Sequence, residues 1–220
     1  MQRVVFTRGD GEHDTTPGAV LRYVERFGRG CVASAASSDP ETCAGIQRVF
    51  FVASGTGTLT TSVGAYPVRA GDGVLVPAGV EHAFRSTGAT PLELLIVEEA
   101  LAGPPARSLL VRNYDGLPTR IGHGHYHACR LFGREDGLTQ IGAVLVVRVE
   151  PMTAGEMHGH GIDTDEVWYM WKGTGAHVVD GEVHVQTPGT AIQVAPSQPG
   201  HSLVNHMATP LHAFYFAHRA

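Results

Sequence analysis

Residues 155–173 read GEMHGHGIDTDEVWYMWKG, and residues 189–205 read GTAIQVAPSQPGHSLVN. The first stretch sets His158 and His160 two apart, then Glu166, then an apolar run closed by Gly173. The second turns on glycine and proline before His201 and ends at Asn205. Three imidazoles and a carboxylate make a donor set for one transition metal, because neutral imidazole suits Zn, Fe, Ni and Cu, whereas Mg or Ca would require oxygen donors. In a strand, residues two apart leave from the same face about 7 Å apart along the backbone, so His158 and His160 are expected to grip one cation together.

These stretches resemble the two cupin motifs, the first normally G-x5-H-x-H-x3,4-E-x6-G and the second G-x5-P-x-G-x2-H-x3-N. The departures are changes of loop length and one substitution. Five residues separate His160 from Glu166, Gly155 lies only three before His158, one extra residue precedes Pro196, and Gln198 stands where the family has glycine. The resemblance implies an all-β chain, double-stranded β-helix or jelly-roll in type, with a metal inside the barrel. The implied ligands are His158, His160, Glu166 and His201, with Glu166 either the fourth ligand or a catalytic base. Asn205 is expected to support the ligand geometry from outside the first ring of contacts.

The pattern occurs twice. Gly55-Thr-Gly57 matches Gly173-Thr-Gly175, Gly71 matches Gly189, Pro77 matches Pro196, and His82 matches His201, at offsets of 118 or 119. Two tandem cupin barrels are therefore expected, residues 1–103 and 104–220, with Gly103-Pro104-Pro105 as a stiff boundary. Aligning Gly55 on Gly173 places Arg48 opposite Glu166, Pro40 opposite His158, Thr42 opposite His160 and Ser86 opposite Asn205. The N-terminal barrel is accordingly expected to be metal-free, with His82 a structural remnant.

Bulk properties exclude other classes. With 220 residues, 43% hydrophobic and 17% charged, the chain can bury a proper core, and its 28 glycines and 13 prolines suit short strands and tight turns. The net charge is −5 and the basic residues are scattered, with Lys172 the single lysine, so neither nucleic acid nor an anionic membrane is an expected partner. Cys31, Cys43 and Cys129 form no C-x-x-C pair and read as free thiols. No leader-like or membrane-spanning apolar stretch is visible, and a cytoplasmic protein is expected. A homodimer is expected as well, since barrels of this family often pair through strand edges, and pairing hides edges from aggregation.

Strands are expected over 47–52, 65–68, 73–76 and 92–97, and over 143–149, 167–171, 176–179, 182–185, 191–194 and 211–216. Asp180-Gly181 has the chemistry of a two-residue hairpin turn. A short helix is expected from Thr16-Pro17 through Val20, Val24 and Phe27 to a glycine stop at Gly28. If Glu166 points inward, alternation sends Trp168 and Met170 inward too, as packing or as substrate contacts, and sends Val167, Tyr169 and Trp171 outward. His123, His125 and His127 recur at every second residue, so on a strand they share a face. A second metal site, a proton relay or an imidazole-lined substrate entrance are the readings. His177, His184, His206 and His212 read as surface or core residues.

Three histidines and one carboxylate leave open positions on a metal that prefers five or six ligands, unlike a closed structural zinc site. One divalent transition metal per chain is expected, Fe(II) first, with Zn, Mn or Ni as alternatives. The readings are an oxygenase of the dioxygenase type acting on a small oxygenated or aromatic metabolite, a redox-neutral isomerase or cyclase using the metal as Lewis acid, and a non-enzymatic small-molecule binding protein.

Overall fold

The computed structural model describes residues 5–6, 26–196 and 200–219, which are built almost wholly of antiparallel strands. All ten expected strands lie within observed ones. Others, such as Thr56–Thr61, His82–Ser86 and His201–Asn205, were not expected, because their Thr, Ser, Gly and Asn content reads as loop until tertiary pairing decides. The expected helix ending at Gly28 is corrected. Arg26–Val32 is a strand in which Phe27 pairs with Val97 and Gly28 with Ile96, so ladder pairing overrides the local stop signal. Thr16, Pro17, Val20 and Val24 lie outside the described residues.

The chain forms two compact units, which exchange short segments across the expected 103/104 boundary. The N-terminal unit holds a five-stranded sheet ordered Arg26–Val32, Leu92–Ala100, Ile46–Ser54, Asp72–Val76, Leu110–Asn113, and a three-stranded sheet ordered Gly64–Arg69, Thr56–Thr61, His82–Ser86. Phe132–Gln140 belongs to it too, and Gln47 shows how: its amide donates to Glu99 at 2.7 Å and to the Gly137 carbonyl at 2.9 Å. Phe50, Val52, Leu59, Val74, Phe84 and Leu92, drawn from both sheets, fill the space between them.

The C-terminal unit has a seven-stranded sheet ordered Val5–Phe6, Ala191–Val194, Thr164–Lys172, Leu211–Arg219, Ile141–Val149, Tyr126–Gly133, Thr119–Gly122. Its second sheet runs Thr153–Ala154, His201–Asn205, Gly175–Val179, Glu182–Gln186. Val147, Trp168, Met170, Ile192, Leu203 and Tyr215 form the core between them. Val167, Tyr169 and Trp171 point the other way yet are also buried, which is why this strand reads as one apolar run rather than an alternation. Asp180 and Gly181, at φ of 53° and 77°, make the two-residue hairpin turn between Val179 and Glu182.

The two units repeat one another residue by residue around the positions that matter. Arg48 pairs with Val76 and Glu98 as Glu166 pairs with Val194 and Ala217. Thr61 pairs with His82 as Val179 pairs with His201. Gly55 and Gly173 sit at φ of 84° and 79° beneath Pro91 and Pro210, so close that a Cβ would fall 2.4 Å and 2.9 Å from those prolines' carbonyl oxygens. The isolated bridges correct one alignment: Glu41 bridges His82 as His158 bridges His201, so Glu41, not Pro40, is the counterpart of His158. Cys43 then stands for His160 in place of Thr42. A one-residue difference in loop length between the copies hid this.

Candidate metal centre

Glu166 lies in the middle of the strand Thr164–Lys172 with its carboxylate facing the barrel interior, 1% exposed. Its Oε1 accepts a hydrogen bond from Tyr215 Oη at 2.5 Å and lies 3.0 Å from His160 Nε2. Its Oε2 accepts from Trp168 Nε1 at 3.0 Å and lies 3.4 Å from His201 Nε2. Burial works against the charged form, but His160, His201 and Tyr215 outweigh it and bring the carboxyl down to about 2. Glu166 is therefore an anion across the physiological range.

His158 and His160 are not on a regular strand as expected. They occupy an extended loop tied to His201 by one two-hydrogen-bond bridge, His158 N to His201 O at 3.1 Å and His201 N to His158 O at 2.8 Å. That bridge and the Gly-flanked loop, rather than strand alternation, turn the side chains to a common point. One nitrogen each from His158, His160 and His201 lie within 4.8 Å of one another, a group able to hold a metal ion, and His160 Nε2 is 3.0 Å from His201 Nε2.

The hydrogen bonds fix the protonation pattern of two of these rings. Gln186 Nε2 donates to the Trp168 carbonyl at 3.0 Å, so its Oε1 must be the atom facing His177 Nδ1 at 3.1 Å, and that nitrogen must carry a proton. His177 is fully buried, and its pKa is lowered to about 4 by that burial, so it is neutral and its Nε2 is an acceptor. His201 Nδ1, 3.1 Å away, must then be the donor. His201 is itself brought down to about 3, by burial above all, so its Nε2 presents a bare lone pair toward Glu166 and His160. His158 Nδ1 likewise donates to the Glu156 carbonyl at 2.8 Å, so its Nε2 is the nitrogen left for another partner.

Other residues singled out from sequence fall elsewhere. Asn205 is corrected: it is fully buried, but donates to the carbonyls of Val149 and Thr209 at 3.0 and 2.9 Å and accepts from Met207 N, bracing the end of its strand rather than a ligand. Trp168 and Met170 point inward but are 3% and 0% exposed within the core, so Met170 is packing and Trp168 acts through its bond to Glu166. The three alternate histidines do not share a face, because His123, at φ 44°, and Gly124, at φ 75°, make a turn between Thr119–Gly122 and Tyr126–Gly133. His123 stacks flat on His158, centroids 3.6 Å apart and planes at 7°; His125 is exposed in the turn; His127 faces away from the buried Tyr126. Among the described residues no metal-binding group includes His123, His125 or His127.

Sequence reading missed His177, Gln186, Tyr126 and Tyr215. His177 could have been found, since it lies two before Val179, the residue paired with His201, and so shares that inward face. Tyr126 seats its ring against Gly155, where a Cβ would come 2.1 Å from its Cζ, and its hydroxyl accepts from Leu203 N at 2.5 Å. Nothing near Tyr126 in the sequence signals that role.

In the N-terminal unit the same positions carry different chemistry. Arg48 Nε donates to Glu98 Oε1 at 2.7 Å, and Nη1 donates to Glu41 and faces His82 Nε2 at 3.3 Å. Burial disfavours the charged guanidinium, but the two carboxylates outweigh it and raise its pKa. His82 is lowered by its own burial and stays neutral, its Nδ1 donating to the Val80 carbonyl at 2.9 Å. A fixed cation thus occupies this site.

Comparison with known proteins agrees with this architecture. A cupin domain model matches residues 33–98. No curated protein sequence is significantly similar to the chain. Among solved structures, a putative glyoxylate-induced protein from Pseudomonas aeruginosa is 14% identical with a TM-score of 0.79, covering 94% of this chain and 78% of its own. Salicylate 1,2-dioxygenase from Pseudoaminobacter salicylatoxidans, in complex with gentisate, is 14% identical with a TM-score of 0.68, covering 89% and 69%. Oxalate decarboxylase from Bacillus subtilis, described for its Mn(II) centres, is 14% identical with a TM-score of 0.69, covering 90% and 69%. With the matched domain, the duplicated motif and two sheet pairs in one polypeptide, the chain has the fold of two cupin barrels in tandem, and residues 33–98 match the cupin domain family.

Proposed function

We propose that the C-terminal barrel is the metal-dependent active site of a small-molecule enzyme, an oxygenase of the dioxygenase type acting on a small oxygenated or aromatic metabolite. The observation that carries this is the hydrogen-bond chain from the Trp168 carbonyl through Gln186 and His177, which leaves His201 Nε2 a bare lone pair beside an ionised Glu166. A hydrogen-bonded core histidine needs no such arrangement, whereas a ligand does. Spacing supports the same reading: two donors about 2.1 Å from one ion and about 90–110° apart are separated by about 3.0–3.4 Å. The separations of His160 from His201, His160 from Glu166 and His201 from Glu166 are 3.0, 3.0 and 3.4 Å.

His158, His160, His201 and Glu166 would hold one divalent transition metal, Fe(II) first, which supplies open positions for a chelating substrate and dioxygen. The chain's own part is positioning. Tyr215 and Trp168 hold the two carboxylate oxygens apart, so Glu166 contributes fixed negative charge; with a pKa of about 2 it is a poor proton acceptor and serves better as ligand than as base. His123 shields one face of His158 from water. Met157 and Ile162, 56% and 68% exposed on either side of the His-Gly-His segment, give the rim an apolar character suited to a ring-bearing substrate.

Elemental analysis of protein purified without added metal, joined to oxygen-electrode assays on candidate catechols and hydroxybenzoates, tests this. Iron with substrate-dependent O2 uptake is expected. Tightly held zinc without O2 uptake would instead indicate a redox-neutral isomerase or cyclase, and absence of any metal would indicate a binding protein.

A further inference from the structure

The N-terminal barrel contains a cavity of about 110 Å3 that opens to solvent at its mouth, near the scale of an apolar cavity that holds a single benzene ring, about 150 Å3. It lies where the histidine cluster lies in the other barrel, since Arg48, His82 and Glu41 line it. A metal ion is a poor occupant: the guanidinium already sits between the Glu98 and Glu41 carboxylates and the His82 nitrogen, and a second cation beside it would be repelled. Arg48 spends Nε on Glu98 and Nη1 on Glu41 and His82, while Nη2, with two N–H groups, makes no hydrogen bond among the described residues. It is a fork of donors held rigid at the base of the cavity.

The walls are of another kind. Phe50 and Phe84 meet edge to face at 4.8 Å, and Leu94 and Ile96 complete an apolar lining. Among the described residues, the charged groups lining the cavity are Arg26 and Arg48 against Asp39, Glu41 and Glu98, a formal sum of −1, so these give an anion no net attraction. A free carboxylate would also compete with two that Arg48 already holds.

We propose that this cavity is a metal-independent binding site for an uncharged molecule with an apolar, ring-sized body and one carbonyl or hydroxyl oxygen directed at Arg48 Nη2. The proposal does not depend on the reading of the C-terminal site, and makes the chain a protein with two small-molecule sites of different chemistry.

The test is a fluorescence titration of the full-length chain with Prodan, an uncharged naphthyl ketone whose emission reports its surroundings. One saturable site per chain is expected, equal in untreated, EDTA-treated and His160→Ala protein. The anion 2-naphthoate should bind about tenfold more weakly or less, a difference of about 1.4 kcal/mol. Gly30 lines the cavity, and a side chain there meets first the movable end of Ile96, at 3.2 Å, so Gly30→Leu fills the space without touching the ion pairs and should weaken Prodan at least about tenfold. Arg48→Met should weaken Prodan more than it weakens 2-ethylnaphthalene, which lacks the oxygen. Failure of Prodan to saturate, binding that disappears with EDTA or in His160→Ala, or insensitivity to Gly30→Leu would each overturn the proposal. Tighter binding of 2-naphthoate than of Prodan would overturn the uncharged class.

Discussion

His177 Nε2 stands 3.1 Å from His201 Nδ1, and because Gln186 fixes the proton on the far side of His177, this contact determines which nitrogen of His201 is bare. His177→Leu should therefore lower metal affinity about 10–100-fold by freeing the His201 ring to turn and change tautomer. Chelator competition on the purified variant measures it. Unchanged affinity would mean that the chain of hydrogen bonds is core packing alone.

Tyr215→Phe removes a 2.5 Å hydrogen bond to an ionised, buried carboxylate. Such bonds contribute about 1.5–3 kcal/mol, so urea unfolding should show a loss of that order. The stoichiometry of bound metal should remain, because Trp168 still holds the other oxygen of Glu166. Loss of all metal would make Tyr215 more than a positioning residue.

Metal-stripped protein should lose stability on acidification in a defined window. His177 and His201 titrate near 6.5 when unfolded, but at about 4 and about 3 when folded, so between those limits the unfolded chain binds more protons. Stability is then flat above about pH 6.5 and falls below it, by on the order of 2–4 kcal/mol at about pH 5. Glu166, at about 2 when folded, keeps its stabilising contribution above its ordinary value of 4.5 and loses it only as pH falls below that. Denaturant midpoints across pH measure this, and a midpoint that rose on acidification would contradict the assigned neutral rings.

Asn205→Ala should cost about 1–3 kcal/mol, because the carbonyls of Val149 and Thr209 and the amide of Met207 lose their partner. Metal content should not change. Plasma mass spectrometry beside a melting curve separates the two effects.

His125→Ala should leave metal content, stability and pH dependence as they are, since the residue is exposed in a turn. His123→Ala, by contrast, uncovers the face of His158 that it stacks on at 3.6 Å, and should quicken metal loss to chelator. Equal behaviour of the two variants would show that the stack has no role.

Much of this was legible because barrel motifs tie chemistry to punctuation. The strand around Glu166, the hairpin at Asp180-Gly181 and the convergence of His158, His160 and His201 all follow residue types whose backbone demands are local. What was not legible depended on distance or on loop length. Asn205 shares a strand face with His201, but four residues of strand carry it about 13 Å away, beyond any supporting contact. Alternation of His123, His125 and His127 presumed a strand, and His123 and Gly124 make a turn instead. Glu41 was displaced to Pro40 by a loop one residue different in length, which no composition argument detects. His177 and Gln186 were hidden because their role lies in whom they touch.

The guanidinium of Arg48, seated where its sister barrel gathers imidazoles, cannot dissociate. Its positive charge is written into the polypeptide, needs no delivery from the cell's ion pool and cannot be stolen by a competing chelator. One half of the molecule would thus stay electrically complete during metal starvation while the other half waits to be supplied.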